Sequence, residues 1–208
     1  METHTPRLGF LISICLFVAL LSAAPSLRAQ GAPGFHIGVS GGALFPVENQ
    51  SDTYKTGWEG TLLFSWMFGD SPFGIRLDGT YGELPTKDQL VPVFTNGKTR
   101  VIDGTFDFVI GPHVGAYVQP YVLGGVGAYD IRFHGQEVDS GNLFSNSTTR
   151  FGWNAGTGIA FRLGASTNVH AFIEGRYTSV TLSDLFTNSV HLTGRRFTYV
   201  VLNSGFIF

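Results

Sequence analysis

The stretch "FGIRLDGTY", Phe73–Tyr81, alternates without a fault. Phe73, Ile75, Leu77, Gly79 and Tyr81 fall on one side, and Gly74, Arg76, Asp78 and Thr80 on the other. Successive Cβ atoms of a strand point to opposite faces, so a period of two reads as a β-strand whose faces meet different media. One face is apolar and aromatic, and the other holds a full positive and a full negative charge. Which medium lies on which side decides the fold.

The same pattern recurs in seven further segments. "FHIGVSGGALF" (Phe35–Phe45) sets Phe35, Ile37, Val39, Ala43 and Phe45 against His36, Gly38, Ser40 and Gly42. "WEGTLLFSWMF" (Trp58–Phe68) sets Trp58, Leu62, Phe64, Trp66 and Phe68 against Glu59, Thr61 and Ser65. "RVIDGTFDFVI" (Arg100–Ile110) sets Ile102, Phe106, Phe108 and Ile110 against Asp103, Thr105 and Asp107. "YVLGGVGAYDIRF" (Tyr121–Phe133) reads as Tyr121, Leu123, Tyr129, Ile131 and Phe133 against Asp130 and Arg132. "FGWNAGTGIAFRL" (Phe151–Leu163) opposes Phe151, Trp153, Ile159, Phe161 and Leu163 to Asn154 and Arg162. "VHAFIEGRYT" (Val169–Thr178) opposes Val169, Ala171, Ile173 and Tyr177 to His170, Glu174 and Arg176. "RFTYVVLNSGFIF", at the end of the chain, carries Val200, Leu202, Phe206 and Phe208 on one face and Tyr199, Asn203 and Gly205 on the other.

Each segment is close to or longer than the ~9–11 residues that cross a bilayer with tilt. An even number of antiparallel strands closes into a barrel, and closure leaves no unpaired edge in lipid. The connections alternate in length. Gly69–Pro72, Gly111–Pro120 and Gly164–Asn168 are the shorter ones; Pro46–Gly57, Gly82–Thr99, His134–Arg150 and Ser179–Arg195 are long and polar. Short turns on one side and long loops on the other suit an outer-membrane barrel. The expected fold is all-β, an eight-stranded antiparallel up-and-down transmembrane barrel.

Alternation alone also fits a soluble exported barrel of lipocalin type, with apolar residues inside. The charges argue for lipid outside. Glu59, Arg76, Asp78, Asp103, Asp107, Asp130, Arg132, Arg162, Glu174 and Arg176 all fall on the face opposite the aromatics, and the segments contain no Lys. Glu83, Arg100 and Arg196 are exceptions where strands meet long loops. An Arg facing lipid at mid-membrane costs ~2–4 kcal/mol, falling to ~0–1 near the interface. Mixed signs in a narrow lumen can pair, and Arg76 and Asp107 are expected to be neighbours. Thr61, Leu63, Met67, Arg76, Phe172 and Tyr199 are expected to plug the interior. Phe35, Phe45, Trp58, Trp66, Phe68, Phe73, Tyr81, Phe133, Phe151, Phe161, Tyr177 and Phe208 form two expected aromatic girdles.

Composition agrees. Charged residues are 13%, aromatic residues 14% and glycines 28 of 208, against a usual charged share of ~25%. The net charge of −2 gives no reason to expect nucleic acid as a partner. Residues 1–29 read as a signal peptide: Arg7, an apolar run Leu8–Leu21, then small residues up to Ala29. Residues 30–208 are the barrel domain. The one cysteine, Cys15, lies in the apolar run. Ile14 precedes it where lipidation wants a small residue, so no disulfide or thiol chemistry is expected in the exported chain.

"PYVLGGVGAYD", "FGWNAGTGIAFRL", "FIEGRYT" and the terminal Phe208 resemble the small eight-stranded outer-membrane barrels typified by the OmpA transmembrane domain, OmpX and the opacity-type proteins. The resemblance spans Gln30–Phe208. It implies an outer-membrane location and an assembly signal in the last strand, here Val200, Leu202, Phe206 and Phe208, with Ser204 interrupting the row. No further domain is expected after Phe208. Expected partners are the lipid bilayer and lipopolysaccharide, the outer-membrane assembly machinery, and an extracellular ligand or host surface met by the long loops. Phe94, Phe144, Leu185 and Phe186 are candidate loop contacts, with packing of their own loops as the alternative.

Some barrels of this architecture modify lipids. A deacylase of that type carries a His-x-Ser pair. None of His36, His113, His134, His170 and His191 has Ser two places on. Asp78, Asp103 and Asp107 could form an acid–base set, but they equally suit lumen salt bridges. No catalytic residue, metal ligand or cofactor is assigned. The expected role is structural, adhesive or surface-interacting; a lipid A deacylase or acyltransferase is the alternative.

Overall fold

The computed structural model describes residues 34–69, 71–87, 94–111, 117–137, 143–164, 169–182 and 195–208. The expected signal peptide lies outside them. Eight strands follow one another: β1 Phe35–Pro46, β2 Gly57–Met67, β3 Phe73–Pro85, β4 Phe94–Ile110, β5 Val118–Glu137, β6 Leu143–Arg162, β7 His170–Leu182 and β8 Arg195–Ile207. A single 3-10 turn, Glu48–Gln50, interrupts the connection after β1. Every neighbouring pair is antiparallel, and β8 pairs with β1, so the sheet is a closed barrel.

The register fixes the barrel's geometry. From His36 the paired residues run Ser65, Arg76, Asp107, Gly125, Asn154, Thr178 and Tyr199, and then meet β1 again at Pro46, ten positions beyond His36. With ~3.3 Å per residue and ~4.8 Å between strands, that stagger tilts the strands by about 40°. Each residue then climbs about 2.5 Å along the axis, so the 11 residues of β2 span an apolar band of ~25 Å.

The outer wall is apolar across this band. Trp58, Trp66, Phe73, Leu77, Phe108, Phe151, Ile159, Ile173 and Leu202 all present large exposed surfaces. Trp58 packs against Tyr81, and Trp153 against Tyr177, with ring centroids 5.7 and 5.4 Å apart at the loop end of the wall. Such amphipathic rings suit the membrane interface.

β5 corrects the sequence reading. Its inward row is Tyr121, Leu123, Gly125, Gly127, Tyr129 and Ile131, with Tyr129 1% exposed; Val118, Val122 and Val126 face outward, the last 61% exposed. Asp130 and Arg132 therefore stand on the outer wall, not in the lumen, and Phe133 follows the inward row rather than an outer girdle. The reason is steric and environmental. A Cβ at Gly125 would lie 2.0 Å from the Phe106 carbonyl oxygen and 2.2 Å from Asp107 Oδ1. Only glycine fits inward there, while the valines supply the lipid face. The two charges sit towards the loop end of a 20-residue strand, above the bilayer, where an outward charge is wet.

Strands also run further than expected. β4, β5 and β6 have 17, 20 and 20 residues. At about 2.5 Å per residue, β5 and β6 rise well past the apolar band. Phe94 and Phe144, expected in loops, are strand residues of β4 and β6. Leu185 and Phe186 lie outside the described residues.

Candidate functional site

The lumen is built in three layers. At the loop end an apolar layer closes it: Leu44, Leu84, Val101, Tyr129, Ile131, Val180, Phe197, Tyr199 and Val201. Tyr54, from the β1–β2 connection, packs edge-on over Phe197 at 5.8 Å. Burial pushes the Tyr54 phenol above its ordinary pKa, so it stays neutral in this seat. At the opposite end Leu63, Ala160 and Phe172 form a smaller apolar cluster with Tyr121 and Ile207.

Between them lies the charge network. Arg76 donates from Nε to Asp78 at 2.7 Å and from Nη1 to Glu174 at 2.6 Å. Arg176 donates from Nη2 to Asp78 at 2.6 Å and to Glu174 at 2.9 Å, and its Nη1 lies 3.4 Å from Asp107. The Tyr121 hydroxyl donates to Glu174 at 2.8 Å, and Asn154 Nδ2 to Asp107 at 2.8 Å. Burying ions is costly unless they are paired and hydrogen-bonded, and each of these carboxylates is held by more than one donor. Arg76 and Asp107 are register partners across β3 and β4, yet Arg76 gives its bonds to Asp78 and Glu174.

The remaining expected lumen charges are spread out. Glu59 is buried and accepts from Asn203 Nδ2 at 2.9 Å. Asp103 faces inward beside Thr80. Arg162 ends β6 as the register partner of His170, away from the central cluster. Thr61, Leu63, Arg76, Phe172 and Tyr199 are buried in the lumen, and Met67 lines its lower end. The sequence reading missed the apolar layer. Its signal was present: Leu44, Leu84, Val101, Val180 and Val201 all sit on the inward parity of their strands.

A second cluster lies outside, at the loop-end rim of β3–β5. Arg100 stacks over the Tyr81 ring at 5.4 Å. Glu83 accepts from Tyr81 at 2.8 Å, from Arg100 at 3.3 Å and from Lys98 at 3.4 Å. Arg132 pairs with Asp130. Arg100 and Arg132 face each other directly across β4 and β5, each paired with its own carboxylate, Glu83 and Asp130. A cleft of about 410 Å³, lined by Lys55, Trp58, Glu83 and Lys98 among others, opens beside them.

The outer-membrane protein β-barrel domain model matches residues 13–197. The chain belongs to this family. It is an outer-membrane β-barrel protein, crossing with strands; among the described residues no helix is long and apolar enough to do so. No curated protein matches it significantly. Among solved structures, Neisserial surface protein A is 16% identical, with 86% of this chain and 98% of that one covered and a TM-score of 0.54. A major outer membrane protein from Thermus thermophilus is 13% identical, covering 84% and 98%, with a TM-score of 0.50. At these identities the likeness is one of fold. Among the described residues no group of three or more His, Cys, Asp or Glu could hold a metal.

In β8, Leu202 and Phe206 lie on the outer row, Ser204 lies between them, and Val200 is half-buried on the same side. Phe208 follows the strand and exchanges backbone hydrogen bonds with Ile37 at 3.2 and 2.7 Å.

Proposed function

We propose that the protein is a surface-interaction barrel: a rigid outer-membrane scaffold that presents its loop end to an extracellular ligand or host surface. The observation that carries this reading is the filled lumen. An apolar layer above a paired charge network leaves the outer wall and the loop end as the working surfaces. Loops held on a rigid scaffold are where binding usually resides. The connections available are 47–56, 86–93, 138–142 and 183–194.

The outer rim serves the same role from the membrane side. Lys98, Arg100 and Arg132, beside the Trp58–Tyr81 pair, offer cationic groups for the phosphates of lipopolysaccharide, in exchange for their present partners Glu83 and Asp130. Val200, Leu202, Phe206 and Phe208 serve as the assembly signal.

Surface-displayed protein, with each connection deleted in turn, tests the main reading. Binding to host-cell or matrix components should be lost with at least one deletion while gel mobility stays that of a folded barrel. Binding that survives every deletion, or changed lipid A mass on expression, overturns it. For the rim, Arg100→Ala with Arg132→Ala should lower the lipopolysaccharide retained on purification several-fold.

A further inference from the structure

We propose that the periplasmic mouth of the lumen binds one soft monovalent metal ion, copper(I), through His36, Met67 and His170. The reading is independent of the surface role. The register brings the three residues together. The ten-residue stagger, shared over eight strands, lifts each hydrogen-bonded layer by about 1.25 residues per strand. His170 pairs with Ile207, and Ile207 with Gly38. Gly38 therefore stands about 2.5 residues above His170, and His36, two places lower on β1, stands level with it. Met67 lies two places below Ser65, the partner of His36, which sets it on the same level. All three line one cavity of about 90 Å³ below the charge network. The interior of an eight-stranded barrel is only wide enough for side chains to fill, so inward side chains of one level meet across it.

The donors suit a metal. The His36 Nδ1–H donates to the Gly34 carbonyl at 3.1 Å, which leaves the lone pair on Nε2. A ring held by a backbone carbonyl in this way is the usual state of a metal-ligating histidine. His170 Nε2 lies 3.5 Å from Gln119 Nε2, the weak end of hydrogen-bond range, where a metal can take the amide's place. The Met67 sulfur rests against Gly74, where a Cβ would come within 2.5 Å of it. Three rotatable bonds let the sulfur turn from there to the lumen axis.

Charge and softness select the ion. The lumen carries Glu59, Asp78, Asp103, Asp107 and Glu174 against Arg76 and Arg176, an excess of negative charge that a cation lowers. Arg76, at the top of the cavity, is tied to Asp78 and Glu174. Among the described residues no carboxylate lines the cavity itself, so a hard cation such as calcium finds no oxygen cage there. A thioether with two imidazoles suits copper(I), and Leu63 and Ala160 add an apolar wall.

Met67 is the one methionine of residues 30–208, so selenomethionine marks this position alone in the exported, processed barrel. The labelled barrel in detergent micelles is titrated anaerobically with copper(I) against a chromogenic copper(I) chelator, and separately with zinc. One equivalent of copper(I) should bind, at least tenfold more tightly than zinc, and X-ray absorption at the selenium edge should show a copper–selenium shell. Met67→Leu keeps the side-chain volume and should weaken copper(I) binding at least tenfold while leaving zinc unchanged. His36→Gln with His170→Gln should release the bound equivalent although His113, His134 and His191 remain. No binding, no copper–selenium shell, zinc bound as tightly as copper(I), or binding undiminished in the folded double variant each overturn the proposal. Should the double variant fail to fold, the selenium edge decides on the unsubstituted chain.

Discussion

Arg176 is the residue on which the lumen's charge balance turns. It contacts Asp78, Glu174 and Asp107 from one side chain. Arg176→Met removes the contact to all three and leaves their charge under-compensated, which costs ~3–5 kcal/mol for a broken buried pair. Urea unfolding in lipid vesicles should show that loss. Asp107→Asn should cost less, because Asn154 and Thr105 still hydrogen-bond the side chain. Residue by residue, the central charges of β2, β3, β4 and β7 follow the inward parity that alternation gives them. The reading failed on β5 because that strand is apolar on both faces near its start, so its charges alone decided the parity. They lie above the bilayer, where charge no longer reports the lumen. Val126→Arg tests the corrected parity. Facing lipid, it should destabilise by ~2–4 kcal/mol, whereas an inward residue on a charged layer would not show that depth-dependent cost.

At the scale of the element, strands were legible where they cross lipid and illegible beyond it. Period-two alternation exists because one face meets hydrocarbon. In "LFSNSTTR", Leu143–Arg150, the alternation of apolar and polar residues vanishes, and a strand reads as loop. The extension of β5 and β6 makes paired strand of part of what the sequence presented as a long polar connection, His134–Arg150. β8 bears a different prediction. Phe208→Ala keeps the backbone bonds to Ile37 and removes only the ring, so it separates a recognition role from strand pairing. The fraction of heat-modifiable, folded barrel in outer membranes should fall several-fold for Phe208→Ala. Shortening 183–194 should leave it near wild type, and equal yields for both would remove the terminal ring from the assembly signal.

For the molecule as a whole, eight strands with a ten-residue stagger leave a lumen that side chains fill. In planar bilayers the protein should give conductance near zero, and large stable steps would contradict the layered interior. The class of fold was readable from the alternation together with the face on which the charges fall. The choice of ion-pair partners was not: Arg76 bonds Glu174 across the lumen although Asp107 is its register partner, and that depends on which side chains reach across the barrel.

The closure of β8 on β1 sets the protein's lifetime as well as its shape. Every other pairing is a hairpin between consecutive strands, formed locally and cheaply. The β1–β8 seam, Gly38–Pro46 against Tyr199–Ile207, joins the two ends of the barrel, so it carries the largest loop-closure entropy. It is the natural last step of folding and the natural first step of its reversal. A bolt fitted across that seam, rather than reinforcement of any hairpin, is what should slow unfolding most.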